Sequence, residues 1–197
     1  MGKRRLLLVA IVALSITSVV IGIWFTLGER PRQQSLQPLY FDFETAVSRT
    51  APGFTLTDIN GNAISLKGLR GKSVILFFNE GLTCYPCIRQ LTALSFDDRL
   101  NNDKVISYSV VIDSLERWNE ISEGKRFRPG LKVLFDPDGK VSQAYDTLDL
   151  PSVMDKGEHP GHTYFVVDNQ GIVRFTFDDY SMGIRNEELV EELNKIE

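Results

Sequence analysis

Cysteine and histidine are scarce in this chain, with two of each among 197 residues. A closed structural zinc site takes four ligands, so it would have to use all of Cys84, Cys87, His159 and His162. A structural staple is a weak account of the two cysteines, because closing so short a loop removes only about 2 kcal/mol of unfolded-chain entropy. Internal repeats and low-complexity tracts are missing as well, which fits one α/β domain with a real core. Positive charge is outnumbered, with 22 Lys and Arg against 26 Asp and Glu. Residues 1–27 hold three of the basic residues and none of the acidic ones, so the remainder carries a net charge of −7. An acidic domain of this kind argues against nucleic-acid binding.

Charge is absent altogether from Leu6 to Leu27, a run of 22 residues. As a helix it would be about 33 Å long, which matches a hydrocarbon core of about 30 Å. Lys3, Arg4 and Arg5 precede it and Glu29 and Arg30 follow. The charge bias predicts a single-pass anchor in the cytoplasmic membrane, N-terminus in the cytoplasm, with the rest outside. A cleaved secretory signal is the competing reading. Its apolar region is shorter, and Gly22-Ile23-Trp24-Phe25-Thr26 offers no small-residue cleavage site. Both readings send residues 28–197 to the same compartment. Residues 28–50, with Pro31 and Pro38, read as a linker, and residues 51–197 as the folded domain.

What is present is the spacing Thr83-Cys84-Tyr85-Pro86-Cys87. Two cysteines placed at random would have this spacing about one time in a hundred. The apolar run Val74–Phe78 predicts a buried strand, and Pro86 predicts the start of a helix. Cys84 then lies at a helix N-terminus, where free N–H groups and the dipole favour a thiolate. The thiolate, not the thiol, attacks disulfides. Cys84 is therefore assigned as the attacking sulfur, and Cys87, one turn further in, as the resolving one.

The remaining pattern gives an order of elements. Phe54 to Leu66 alternates about Asn60-Gly61, predicting a hairpin. Ile88, Leu91, Leu94 and Phe96 recur at helical spacing until Asn101-Asn102. Val105–Ile112 reads as a second buried strand, and Leu115, Trp118 and Ile121 as one face of a second helix. Val133–Phe135 forms a short strand before the turn Asp136-Pro137-Asp138-Gly139. A second hairpin spans Tyr164–Phe177 through Asn169-Gln170-Gly171, and Asn186–Ile196 closes the chain as a helix. That order makes an α/β sandwich with a mixed sheet.

The segments Ala51-Pro52-Gly53-Phe54-Thr55-Leu56, Leu66-Lys67-Gly68-Leu69-Arg70-Gly71-Lys72, Cys84-x-x-Cys87 and Tyr164-Phe165-Val166-Val167-Asp168-Asn169-Gln170-Gly171 resemble the redoxin branch of the thioredoxin superfamily. That branch holds the alkyl hydroperoxide reductase/thiol-specific antioxidant proteins and the membrane-tethered thioredoxins of cytochrome c maturation. The resemblance covers residues 50–197 and implies a thioredoxin-like fold, a central mixed sheet flanked by helices. It also implies departures. Peroxiredoxins carry a proline seven residues and a threonine or serine three residues before the peroxide-reducing cysteine, and here those places are Phe77 and Gly81. Thioredoxins place a cis-proline opposite the dithiol, and that slot here is His162.

On the resemblance, the loop Glu158–His162 lies against Cys84, where a His162 imidazolium would stabilise the thiolate and pass protons. Glu80 is a candidate proton acceptor for Cys87. The leading function is a membrane-anchored extracytoplasmic thiol-disulfide oxidoreductase. Its partners are a disulfide-containing protein substrate, a membrane or extracytoplasmic redox donor, and the bilayer through residues 6–27. No cofactor is called for. A thiol peroxidase is the second reading. A copper-binding or copper-delivery module using Cys84, Cys87 and His162 is the third, since two thiolates and an imidazole suit copper.

Overall fold

The computed structural model describes residues 41–124 and 130–196. The expected membrane helix at 6–27 lies outside the described residues, among which no helix is long and apolar enough to cross a membrane. One compact unit begins at Phe41. Residues 41–50, assigned above to the linker, belong to it: Phe43 and Ala46 are buried in the core, and Thr50 bridges Ile172. Two prolines further upstream colour the composition of 28–50, whereas its last ten residues carry apolar side chains that the sheet covers.

Seven strands make one mixed sheet in the order β2-β1-β5-β4-β3-β6-β7. They are β1 (Thr55–Asp58), β2 (Ala63–Ser65), β3 (Ser73–Asn79), β4 (Val105–Val111), β5 (Val133–Phe135), β6 (Thr163–Val167) and β7 (Val173–Asp178). The helices are α1 (Tyr85–Ser95), α2 (Leu115–Gly124), α3 (Lys140–Ala144) and α4 (Asn186–Asn194). The mixed α/β architecture expected from the order of elements is present. Helix α3 is the element the sequence pattern does not reveal, because five residues are too few to show a period.

The strand β3 sits inside the sheet, between β4 and β6, and is apolar on both faces as an interior strand must be. Leu76 and Phe78 pack on one side with Phe43, Tyr145 and Phe165. Ile75 and Phe77 pack on the other with Leu91 and Leu94 of α1, Trp118 of α2 and Leu189 of α4. Each hairpin is closed by an aspartate. Asp58 Oδ1 accepts the N–H groups of Asn60 and Asn62 around Gly61, whose φ is +83°. Asp168 Oδ1 does the same for Gln170 and Ile172 around Gly171, at φ +78°. Glycine is the residue that adopts such angles at no steric cost.

Topology then gathers the site. β3 runs parallel to β4, with Asn79 opposite Val111, and antiparallel to β6, with Phe78 opposite Thr163. The C-terminal ends of β3 and β4 and the N-terminal end of β6 therefore share one edge of the sheet. The dithiol follows the first, Asp113 the second, and His162 precedes the third.

Candidate active site

Cys84 is the N-cap of α1, in extended conformation, with Tyr85 and Pro86 forming the first turn. The helix thus starts one residue before the expected Pro86. Cys84 Sγ accepts the backbone N–H of Cys87 at 3.2 Å, so one of the orphan donors of the helix N-terminus points at the sulfur. The two cysteines are joined as a disulfide. Both are buried, but only Cys84 lines a surface cleft of about 420 Å³, together with Glu80, Thr83, Tyr85, Pro86, Met154, Asp155 and Met182. Both sulfurs belong to the buried cluster of Phe77, Leu91 and Tyr164, Cys84 at its margin with 6% exposure and Cys87 within it at 1%.

His162 meets Cys87 and not the sulfur expected from the resemblance: its Nδ1 is 3.9 Å from Cys87 Sγ. The ring is fully buried and packs on Phe77 at 4.5 Å and Tyr164 at 5.6 Å between centroids. Burial pushes its pKa down to about 4, against the opposing pull of Asp179. At neutral pH it is an uncharged imidazole, so the expected imidazolium beside Cys84 gives way to a neutral ring beside Cys87. Its backbone is fixed by a relay in which His162 N–H donates to Ser152 Oγ at 2.7 Å and Ser152 Oγ–H donates to Asp178. Asp178 also accepts from Thr163 Oγ1 at 2.9 Å. Gly161 leaves no room for a side chain, since a Cβ there would stand 2.0 Å from Ser152 Oγ.

Glu80 lies on the Cys84 side, sharing its cleft, with Oε1 buried and without a hydrogen-bond partner. His159 Nδ1 is likewise buried without a partner. Asp113 is a participant that the sequence did not disclose, because Asp-Ser after a strand reads as a loop. Its Oδ2 accepts the N–H of Leu82 at 2.8 Å, and a Cβ on Gly81, at φ +70°, would stand 2.0 Å from the same oxygen. The turn Gly81–Thr83 rests on this carboxylate, and Cys84 N–H in turn donates to Gly81 C=O at 3.1 Å. Burial raises the Asp113 pKa, while Leu82 N–H, Arg117 and His159 lower it. The two places where a peroxidase pattern would put proline and a hydroxyl hold a core phenylalanine, Phe77, and the glycine on Asp113.

Among the described residues no group of three or more His, Cys, Asp and Glu side chains is arranged to hold a metal ion. A larger hollow of about 820 Å³ includes Ser73, Lys104, Asp168, Arg174 and Glu192. It lies at the opposite end of β3 and carries no thiol.

Residues 47–176 match the AhpC/TSA family. The chain belongs to that family. Among curated AhpC/TSA-like proteins, peroxiredoxin Q of Triticum aestivum is 26% identical over 156 residues, 79% of this chain and 69% of its own length. The thiol-disulfide oxidoreductase ResA of Bacillus cereus is 24% identical over 172 residues, 87% of each chain. The crystal structure of Enterococcus faecalis AhpC superposes with a TM-score of 0.65 at 21% identity, covering 77% of this chain and 92% of that one. The redoxin resemblance and the thioredoxin-like α/β fold are thereby shown for the AhpC/TSA domain.

Proposed function

We propose that this AhpC/TSA protein is a thiol-disulfide oxidoreductase whose attacking sulfur is Cys84. The observation that carries it is the placing of Cys84 Sγ, which caps a helix N-terminus and borders a cleft that its more deeply buried partner, Cys87, does not line. In the reduced protein, Cys84 thiolate attacks one sulfur of a substrate disulfide, forming a mixed disulfide and releasing the other sulfur as a thiolate. Cys87 thiolate then attacks Cys84 Sγ, which releases the second substrate thiol. The substrate gains two electrons and two protons, and the protein is left as the Cys84–Cys87 disulfide. A donor dithiol protein returns those electrons. His162, as a neutral imidazole, accepts a hydrogen bond from the Cys87 thiol and fixes it beside Cys84. Glu80 exchanges protons on the Cys84 side of the pair. The test is insulin-disulfide reduction by the full chain against Cys84→Ser and Cys87→Ser. Turnover that survives Cys84→Ser removes the assignment.

A second reading is supported by the peroxiredoxin Q similarity: Cys84 thiolate attacks a peroxide oxygen, becomes a sulfenic acid, and Cys87 displaces water to close the disulfide. Phe77 and Gly81 supply none of the groups that position peroxide, which ranks this reading second. Stopped-flow mixing of the reduced chain with hydrogen peroxide separates the two, and a rate no faster than a free thiol ends the peroxidase option.

The location follows the uncharged run. Residues 6–27 anchor the chain in the cytoplasmic membrane, with the redox domain outside, as the charge bias at Lys3, Arg4 and Arg5 favours. Protease treatment of intact cells, with the membrane fraction probed for residues 41–197, tests this, and a domain protected until lysis argues against it.

A further inference from the structure

The cleft that Cys84 borders has a one-signed lining among the described residues. Its charged side chains are Glu80 and Asp155, and its apolar ones are Tyr85, Pro86, Met154 and Met182. Tyr85 and Met154 are 74% and 71% exposed, large apolar side chains standing in solvent beside the reactive sulfur. Among the described residues no lysine or arginine lines it.

Among the described residues, three cations have other partners. Arg185 holds Asp179 at 2.7 Å and Glu188 at 2.8 Å, Lys156 Nζ donates to the carbonyl of Asp149 at 3.3 Å, and Arg117 faces Asp113 at 3.9 Å. Arg89, one turn along α1 from Tyr85, lies outside the lining. Glu80 Oε1 is buried and makes no hydrogen bond. A buried carboxylate oxygen without a donor is costly, and a cationic or N–H group brought by a ligand would satisfy it.

The backbone that carries Met182, one part of the apolar wall, is set before any substrate arrives. Met182 is held at φ +51°, a conformation that L residues seldom adopt. The turn is fastened to Asp179, which accepts the N–H groups of Ser181 at 3.0 Å and Gly183 at 2.8 Å and the Arg185 guanidinium. A turn fixed in advance lowers the ordering cost of binding at this part of the wall.

Resting on the oxidoreductase reading, we infer the class of substrate that this cleft selects. It is a polypeptide disulfide whose half-cystine is flanked by an apolar side chain and by lysine or arginine. The apolar residue lies on Met154, Met182 and Tyr85, and the basic one reaches Glu80 and Asp155, while anionic disulfides are turned away by the same two carboxylates. A cleft of this volume takes a few residues of extended chain, in the range of ordinary ligand sites.

The test uses the full chain, reduced, with synthetic peptides carrying one cysteine as a mixed disulfide with a chromogenic thiol. The peptides differ only in the residues beside the cysteine, which are lysine, glutamine or glutamate. At low ionic strength the lysine peptide should react about tenfold faster than the glutamate peptide, with glutamine between, as expected for steered encounter. Added salt should shrink that ratio. In the Glu80→Gln, Asp155→Asn double variant the ratio should fall to near one. Only the ratio within each protein is read, so any change in the common rate cancels. Equal rates for the three peptides, or a lysine preference that survives in the double variant, overturns the inference.

A second arm measures binding of cysteine-free versions of the peptides to the oxidised chain by fluorescence anisotropy, with the same order of affinities expected. Peptides that bind in this order but react no faster than with a free thiol count against the oxidoreductase reading alone. Fast reaction without any order in rate or affinity counts against the charge selection alone.

Discussion

Cys84 and Cys87 occupy one turn of α1, yet the two sides of that turn are built for different work. The Cys84 side is open, apolar and acidic, floored by a turn that rests on Asp113. The Cys87 side is closed and aromatic, with Phe77, Tyr164 and a neutral His162 around the sulfur. A symmetric dithiol would give two equivalent nucleophiles. This one sets one sulfur on the border of a cleft and the other deeper in the packing; on the proposed reading that asymmetry divides attack from resolution, and it comes from the packing on either side of four residues.

The comparison breaks most sharply at the sulfurs themselves. Cys84→Ser should reduce insulin-disulfide turnover to background. Cys87→Ser should also stop turnover but leave the attack intact, so that a mixed disulfide with substrate accumulates and shows on non-reducing gels as a band that thiol removes. A mixed disulfide accumulating in Cys84→Ser instead would mean that the open and closed sides have been assigned to the wrong sulfurs.

Next in size is the packing that closes the Cys87 side. Phe77 is fully buried against both His162 and Tyr164, stacked on the latter at 4.7 Å. Phe77→Ala should cost about 3–5 kcal/mol in urea unfolding and should open a path for alkylating reagents to Cys87 in the reduced protein. A loss under about 1 kcal/mol would mean that the wall collapses around the gap.

His162 gives a pH signature to the same side. Its folded pKa is near 4 against about 6.5 in an unfolded chain. Between those values the unfolded state binds a proton that the folded state excludes, so stability rises with pH across the window. The contribution is complete above about pH 6.5 and lost as pH falls toward 4, some 3 kcal/mol in all by order of magnitude. Asp97 and Asp179, both held low, lose their contributions only below about pH 4. His162→Gln should flatten the wild-type slope between pH 6.5 and 4 in urea titrations, and an unchanged slope would place the proton elsewhere.

How much of this was legible in the sequence depends on whether a signal was local. The Cys-x-x-Cys pair, the Asn-Gly turn, the apolar runs of β3 and β4 and the closing helix are patterns within a few residues, and each was readable. The side of the dithiol on which His162 stands was not, because Ser152 and Asp178 set it from 10 and 16 residues away through Ser152 Oγ. Asp113 was invisible for the same reason: its meaning comes from the parallel pairing of β3 with β4, which brings it under Gly81. The folded unit begins at Phe41 and not at the expected residue 51, since Phe43 and Ala46 are too few to show a period and declare themselves only against the sheet.

The smallest expected effect sharpens the open side. Asp113→Ala leaves the N–H of Leu82 without its acceptor and should cost about 1–3 kcal/mol. Asp113→Asn keeps an oxygen for that N–H and removes only the charge, so its cost should be smaller. If the carboxylate serves mainly as the floor of the turn, alkylation of reduced Cys84 should slow several-fold in Asp113→Ala and recover in Asp113→Asn. If its charge is what matters to the sulfur, both variants should shift the rate alike, since a negative charge in the buried turn opposes a thiolate nearby. Matching unfolding midpoints in wild type and Asp113→Ala would show that the turn carrying Cys84 stands without this support, and the contrast between the two sides would then rest on the cleft lining alone.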